Sequence, residues 1–173
     1  MNPIIDFSRL SLQDALDLAI LIEEEAKDRY QEFVDQLELH HTPQAASFFR
    51  FMAENETKHG EELSMRRQLL FADAPTRVSR NMLWDVEAPD YDESRAFMSV
   101  RQAMNVAMAC EIKAHDFFAS ALEHIDNPDV RSLFEELRDE EVEHQKLVNE
   151  QLAKLPPDPE IDTEDYEDEP VAQ

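Results

Sequence analysis

The chain has 173 residues, enough for one domain with a buried core, and its formal net charge is −24 at pH 7. So acidic a surface would repel phosphate, and we expect no nucleic-acid partner. The single cysteine, Cys110, excludes an internal disulfide and a multi-cysteine zinc or iron–sulfur module. One glycine in the whole chain and no apolar run of membrane-spanning length predict an all-helical protein without a membrane span. The N-terminus lacks a basic start before an apolar stretch, so we expect a cytoplasmic location.

The first half of the chain predicts two helices that form a hairpin. The letters "SLQD" resemble a capping box, and they begin a helix that runs from Ser11 to about His40. Thr42 as N-cap and Pro43 at the first helical position begin a second helix, which runs to about Ala72. Because the connection between them is short, the two helices must be antiparallel.

The second half predicts another hairpin, after an irregular, proline-punctuated connection at residues 73–91 that is compatible with a short helix around Val78–Trp84. A third helix is expected to begin near Asp92 or Ser94 and to end near Ile125. Asn127 and Pro128 then begin a fourth helix that runs to about Leu155, in the same way that Thr42 and Pro43 begin the second.

These elements predict an all-α fold, a four-helix bundle made of two antiparallel hairpins joined by one long crossover. We assign residues 1–155 to this bundle. Residues 156–173 contain eight acidic residues and no Lys or Arg, and they are predicted to form a disordered acidic tail.

Each predicted helix carries one apolar stripe with the helical period, interrupted at a single level by Glu, or by Glu and His. The stripes are Leu12, Leu16, Ala19, Glu23, Ala26, Tyr30, Phe33 and Leu37; Ala45, Phe48 or Phe49, Met52, Glu56, His59, Leu63 and Leu70; Val100, Met104, Ala107, Glu111, Ala114, Phe118, Ala121 and Ile125; and Val130, Leu133 or Phe134, Leu137, Glu141, His144, Val148 and Gln151.

The polar positions of all four stripes fall at the same height. At ~1.5 Å per residue, Glu23 and the Glu56/His59 pair both lie roughly 24–28 Å from the first turn. Glu111 and the Glu141/His144 pair lie at matching distances from the second turn. A third pair with the same spacing, Glu38/His41, falls at a helix end and is interpreted as coincidence.

Four carboxylates and two imidazoles in one core layer would be costly to bury without partners. Two divalent cations would balance the four carboxylate charges. One Glu on each of two helices and Glu-x-x-His on each of the other two is the arrangement of di-iron and di-manganese carboxylate proteins. Oxygen and imidazole ligands suit Fe or Mn, and the lack of thiolates argues against structural zinc. A bundle without metal stays the alternative, as does a rotated first helix that presents Glu24 or Glu25.

The residues "EEEAKDRY", with Glu23 and Tyr30, "EIKAHDFF", with Glu111 and Phe118, and the segments "ENETKH" and "DEEVEH" resemble the rubrerythrin branch of the ferritin-like superfamily. The resemblance covers about residues 10–155. It implies a ferritin-like fold and two iron ions, with manganese as the alternative metal. It also implies that His59 and His144 bind one iron each and that Glu56 and Glu141 bridge them.

The same resemblance implies an enzyme, a ferroxidase or a peroxide reductase, acting on Fe(II) with dioxygen or hydrogen peroxide. Its catalytic residues would be Glu23, Glu56, Glu111, Glu141 and Tyr30, an external electron donor would serve a peroxidase, and a homodimer or larger homo-oligomer is expected. The chain departs from the family in lacking a rubredoxin domain and in carrying Met108 where an additional glutamate is usual. A carrier that delivers iron to a partner without catalysis is the alternative function.

Other polar residues near these positions are assigned lesser roles. His115 could be a further ligand or a residue at the helix flank, and Glu62 could guide cations inward or lie at the surface. Tyr30 could be a hydrogen-bonding or redox residue, or a structural one. The remaining predictions are an exposed Asp28, Asp116, His40, His41 and His124, and a buried Cys110 that points away from the site.

Overall fold

The computed structural model describes residues 5–80 and 98–156, and this part of the chain folds as an all-α four-helix bundle, which confirms the predicted fold class. After a short 3-10 helix at Phe7–Arg9, the helices are α1 (Leu12–Leu39), α2 (Pro43–Phe71), α3 (Val100–Leu122) and α4 (Pro128–Leu152). None of the helices in these two ranges combines the length and apolarity needed to cross a bilayer.

The helix ends follow from local capping chemistry. The Ser11 hydroxyl accepts a hydrogen bond from the Asp14 amide at 3.2 Å, and the Asn127 side chain accepts from the amides of Asp129 and Val130. The predicted cap at Thr42 is different, because its hydroxyl donates to the carbonyl of Leu37 rather than accepting from α2. The α1–α2 turn instead closes through backbone bonds, with His41 in the left-handed region at φ 59°.

The apolar core has two halves, one at each end of the bundle. One half joins the N-terminal part of α1 and the C-terminal part of α2 to the C-terminal part of α3 and the N-terminal part of α4. The other half joins the opposite ends of the same helices. Helices α2 and α3 are therefore parallel, so α2 ends at one end of the bundle and α3 begins at the other. The predicted crossover between the two hairpins requires this arrangement.

The first residues of the crossover are fixed to α1 and α2. Arg67 forms an ion pair with Asp17, with a 2.8 Å contact, and also donates to the carbonyl oxygens of Ala72 and Ala74 just beyond α2. Further along, Arg77 pairs with Asp14, and Arg80 pairs with Glu24 and Asp28. The chain thus leaves one end of the bundle and follows the outside of α1.

Three sequence-based expectations differ from the structure. Leu70 is not part of the inner stripe, because 55% of its surface is exposed near the end of α2. Helix α3 begins at Val100 instead of near Asp92 or Ser94, because Ser99 and Gln102 form a capping box there. Helices α3 and α4 end about one turn before the predicted Ile125 and Leu155.

Some predicted features fall on residues that the structure does not describe. Asp92 and Ser94 lie outside the described residues, as does most of the short helix suggested around Val78–Trp84. The predicted acidic tail at 156–173 lies outside them too, apart from Pro156.

Candidate metal centre

A single polar layer separates the two apolar halves of the core. Each helix contributes to it at the predicted position, and the four carboxylates are at most 3% exposed. Their helices hold them there because the stripe residues on either side of each lone Glu, or of each Glu/His pair, are apolar and buried. The layer consists of Glu23 from α1, Glu56 and His59 from α2, Glu111 from α3, and Glu141 and His144 from α4.

The six side chains form two clusters, and each cluster lies within one hairpin. Glu23, Glu56 and His59 form the first cluster, and Glu111, Glu141 and His144 form the second. Within each cluster the three donor atoms lie within 4.8 Å of one another, close enough to share one cation. The two imidazole rings bring the clusters together, because they stack at a centroid distance of 4.7 Å and an interplanar angle of 6°.

The second cluster is held together by direct hydrogen bonding. His144 Nδ1 lies 3.0 Å from Glu111 Oε2 and 3.4 Å from Glu141 Oε2. The next residue, Gln145, donates from Nε2 to the backbone carbonyl of Glu111 at 3.2 Å, which links α4 to α3 at this level. The first cluster is looser, because His59 Nδ1 lies 3.9 Å from Glu23 Oε2 and 3.8 Å from Glu56 Oε2.

Burial and like charges change the protonation of the layer. Burial raises the pKa of Glu23 well above its ordinary value, and the nearby Glu56 and Glu141 carboxylates raise it further. Burial also raises the pKa of Glu141 to about 8. Burial acts to lower the pKa of His144, but the Glu111 carboxylate hydrogen-bonded to it and the Glu141 carboxylate 3.4 Å away outweigh burial and raise that pKa to about 11. Without cations, this layer therefore retains protons at neutral pH.

The carboxylate oxygens of the layer have the free acceptor capacity that cations need. Within residues 5–80 and 98–156, five buried carboxylate oxygens of the layer accept no hydrogen bond: Glu23 Oε2, both oxygens of Glu56, Glu111 Oε1 and Glu141 Oε2. Buried acceptors left in this state are costly, and a hard or borderline divalent cation is the partner that oxygen and imidazole donors favour. The donor set fits two such cations, one for each cluster.

The Rubrerythrin family model matches residues 14–150, and it matches again at residues 102–172. The chain belongs to the Rubrerythrin family. This confirms the resemblance seen in the sequence, and the two clusters supply the carboxylate and histidine groups that a di-iron rubrerythrin-type site requires.

A crystal structure of an uncharacterized conserved protein from Magnetospirillum magnetotacticum MS-1 is similar to this chain. The two share 29% sequence identity with a TM-score of 0.63, over 85% of this chain and 97% of the other. None of the curated proteins matches the chain.

The structure places the alternative ligands outside the layer. Glu24 is half-exposed and pairs with Arg80, so α1 presents Glu23 to the core. His115 lies 3.0 Å from Asp116, its neighbour in sequence, and Asp116 is exposed. Glu62 lines a small cavity of about 60 Å³ beside His59, together with Glu136 and Glu140.

Several other sequence predictions concern residues around the site. Tyr30 is fully buried and stacks on Phe49 at a centroid distance of 5.7 Å, two turns along α1 from Glu23. Cys110 is buried, as expected. His41 and His124 are exposed, whereas His40 and Asp28 are only partly so. Met108, at the position of the additional family glutamate, is partly buried among core residues of α3.

Two residues that the sequence patterns did not single out make the clusters differ. Gly60 follows His59, and Gln145 follows His144 at the equivalent place in the second hairpin. Gly60 lines a cavity of about 550 Å³ that reaches Glu23 and Glu56. The signal was present, because Gly60 is the only glycine of the chain and it lies inside a helix.

Proposed function

We propose that this protein is a di-iron carboxylate protein that oxidises Fe(II) with dioxygen or hydrogen peroxide. The observation that carries the proposal is the buried layer of four carboxylates and two imidazoles, with five oxygens that accept no hydrogen bond within the described residues. The membership of the Rubrerythrin family supports the same chemistry.

The six side chains form two sets of three, one set for each iron. We assign Glu23, Glu56 and His59 to one iron, and Glu111, Glu141 and His144 to the other. The four carboxylates, once deprotonated, balance the charge of two divalent cations. We assign the bridging role to Glu56 and Glu141, whose helices also supply the stacked imidazoles.

When bound, the two irons supply one electron each for reducing dioxygen or peroxide. The protein must release protons from the layer as cations bind, because Glu23 and Glu141 have raised pKa values and His144 also holds a proton. Apolar core lies on both sides of the layer along the bundle axis, so the charge change on oxidation falls first on these carboxylates. We also assign Tyr30, buried on the stripe of Glu23, a redox or hydrogen-bonding role beside the site.

The test is an anaerobic Fe(II) titration of metal-free protein, followed by oxygen and then by peroxide. We expect two equivalents of Fe(II) to bind and a near-ultraviolet ferric absorption band to develop rapidly with an oxidant. Glu56→Ala should lose metal binding, whereas Glu38→Ala, which alters the exposed Glu38/His41 pair at the end of α1, should retain both equivalents. Retention of metal by Glu56→Ala would contradict the proposal.

The iron-carrier function remains the second candidate, because Met108 stands where the family usually has an additional glutamate. Tight binding of two Fe(II) with slow oxidation would favour the carrier. Metal analysis of protein purified without added metal distinguishes iron from manganese. The external electron donor, the homodimer or larger oligomer and the cytoplasmic location stay predictions.

A further inference from the structure

Gly60 occupies a position where its lack of a side chain matters. It lies inside α2, one residue after His59, and glycine destabilises the interior of a helix. A Cβ atom placed on Gly60 would lie 3.6 Å from Glu23 Cβ, which is ordinary van der Waals contact. Alanine would therefore fit, so close helix packing does not require glycine here. A longer side chain, however, would enter the space in front of Glu23.

That space is a cavity of about 550 Å³ between α1 and α2, which we call the Gly60 cavity. Glu23 and Glu56 form its inner wall, and both are at least 97% buried (3% and 1% exposed) with oxygens that accept no hydrogen bond in the described part of the chain. Of its outer residues, Met65 is exposed and Lys27 is partly exposed. The cavity therefore leads from the surface of the α1–α2 hairpin to the first cluster.

The second hairpin carries a side chain at the equivalent position. Gln145 follows His144 as Gly60 follows His59, and its amide group reaches α3 and donates to the Glu111 carbonyl at 3.2 Å. Glutamine thus occupies the space against α3 that glycine leaves open against α1. The two clusters share their ligand types but differ in the residue that controls access to them.

We propose that the Gly60 cavity admits a small uncharged oxidant, dioxygen or hydrogen peroxide, to the Glu23–Glu56 side of the metal centre. This inference rests on the proposed function and names the route by which its second substrate reaches the site. It also makes the centre asymmetric, because the route ends at the first cluster.

The chemistry of the cavity wall selects an uncharged ligand. Ile20, Gly60 and Met65 provide apolar surface, and a cavity of this size readily accepts a molecule of two to four atoms. An anion would approach past the carboxylates of Glu24 and Glu61, which outnumber Lys27, the single basic residue of the lining. These charges disfavour anions, whereas dioxygen and hydrogen peroxide carry no charge at neutral pH.

Nitric oxide tests the route because it is uncharged, resembles dioxygen in size and binds Fe(II) with a visible absorption change. Its association rate with anaerobic Fe(II)-loaded protein is measured by stopped-flow spectroscopy. We expect Gly60→Gln, which copies the second hairpin, to slow association about tenfold or more by placing a side chain in the route. Gly60→Ala, the matched control, should remain within about twofold of the wild type because its methyl group leaves most of the cavity open.

Two further variants test the same route in case Gly60→Gln does not fold. Ser64→Phe fills the same cavity from the next turn of α2, and Ser64→Ala is its control. Both plugged variants should bind two equivalents of Fe(II) and yet associate slowly with nitric oxide. Equal association rates for the plugged variants and their alanine controls would overturn the inference.

The double variant Gly60→Gln/Gln145→Gly tests whether the residue after each histidine controls the access of nitric oxide to the metal centre. Opening the equivalent position against α3 should restore at least part of the association rate, with the second cluster as the new point of arrival. No recovery would overturn the part of the inference that gives the residue after each histidine control of access to its cluster.

Xenon binding separates this inference from the proposed function, because it needs no metal. In metal-free protein, xenon under pressure should shift the amide resonances of Gly60 and Ile20, and Gly60→Gln should abolish those shifts. Should Fe(II) fail to bind at all, the proposed function fails, but the xenon shifts would still show the route. Absence of the shifts in the wild type would overturn the route itself.

Discussion

Each of the two clusters consists of one Glu and one Glu-x-x-His pair, but the protein holds them differently. In the second cluster, His144 lies 3.0 Å from Glu111, and Gln145 connects α4 to the backbone beside it. In the first cluster, the corresponding distance from His59 to Glu23 is 3.9 Å, and Gly60 leaves a cavity. His59 is also more exposed than His144, at 24% against 14% of the side chain.

This difference shows that a repeated ligand motif does not produce two equivalent half-sites. The hydrogen bond between His144 and Glu111 fixes the second cluster before a cation binds, but the proton that His144 holds must leave when a cation enters. The first cluster is looser, lies beside a cavity and is easier to reach. The second cluster is therefore ordered and coupled to proton release, and the first is built for access.

The largest effect is expected from removing one imidazole at a time. His59→Ala and His144→Ala should each lose one of two equivalents of Co(II), because each histidine belongs to one cluster. The cation that remains in His59→Ala lies in the second cluster and must displace the proton of His144, so its affinity should rise by up to about tenfold more per pH unit than that of the cation in His144→Ala. Isothermal titration calorimetry measures both affinities.

His41→Ala is the matched control for these variants, because His41 is exposed and lies at the end of α1. It should bind two equivalents with wild-type affinity. An equal pH dependence of the two affinities, or the reverse order, would break the proposed division between proton-coupled binding and access.

A smaller effect concerns the pH dependence of the metal-free protein. Burial raises the pKa of Glu141 to about 8, so the folded state binds more protons than the unfolded state between pH 4.5 and about 8. The free energy of unfolding should therefore fall as pH rises through this range, by on the order of 2–3 kcal/mol from about pH 5.5 to about pH 8. His144, with a pKa raised to about 11, extends the loss to higher pH.

Urea denaturation of chelator-treated protein at several pH values measures this slope. Glu141→Gln removes one titrating group while preserving a similar shape, so its slope should be shallower than that of the wild type. With metal bound, the sign of the dependence reverses, because ligands must be deprotonated to bind cations. A metal-free wild type whose stability rises with pH in this range would contradict the protonated layer.

The smallest effect is expected from Gly60→Ala. Because a Cβ atom fits there at 3.6 Å from Glu23 Cβ, alanine should stabilise α2 by ~1 kcal/mol and raise the melting temperature by about 2–4 °C. Differential scanning calorimetry of metal-free protein measures the shift. Ser64→Ala, at an exposed position of the same helix, should give a smaller gain, and an equal or larger one would mean that Gly60 is not where helix stability is lost.

The sequence was sufficient to predict the fold and to select the six side chains that the structure brings together. The reason is geometric, since a helix fixes which residues share a face and at what height, and two short turns fix which helices are neighbours. Counting from each turn was enough to separate Glu56/His59 and Glu141/His144 from Glu38/His41. The structure places the first two pairs in one layer, while Glu38 is exposed and pairs with Arg50.

The asymmetry of the two clusters could not be derived in this way. Whether Gly60 opens a cavity depends on the residues that face it from α1, and whether Gln145 fills one depends on a bond to the α3 backbone. Sequence periodicity and capping rules also failed near helix ends. Leu70 is exposed and not part of the inner stripe, and α3 begins after Ser99, later than expected. In these places, contacts between segments decide the outcome rather than periodicity.

Each cluster is contained within a single hairpin, with Glu23 and Glu56 in one and Glu111 and Glu141 in the other. Closing a short loop costs little chain entropy, so each hairpin can gather its own three donors early in folding. Each cluster can therefore form before the two hairpins dock, and docking is the slower step because the crossover between the hairpins is long. A half-formed molecule already carries half of the binding chemistry, and a cation captured there would favour the collapse of the rest.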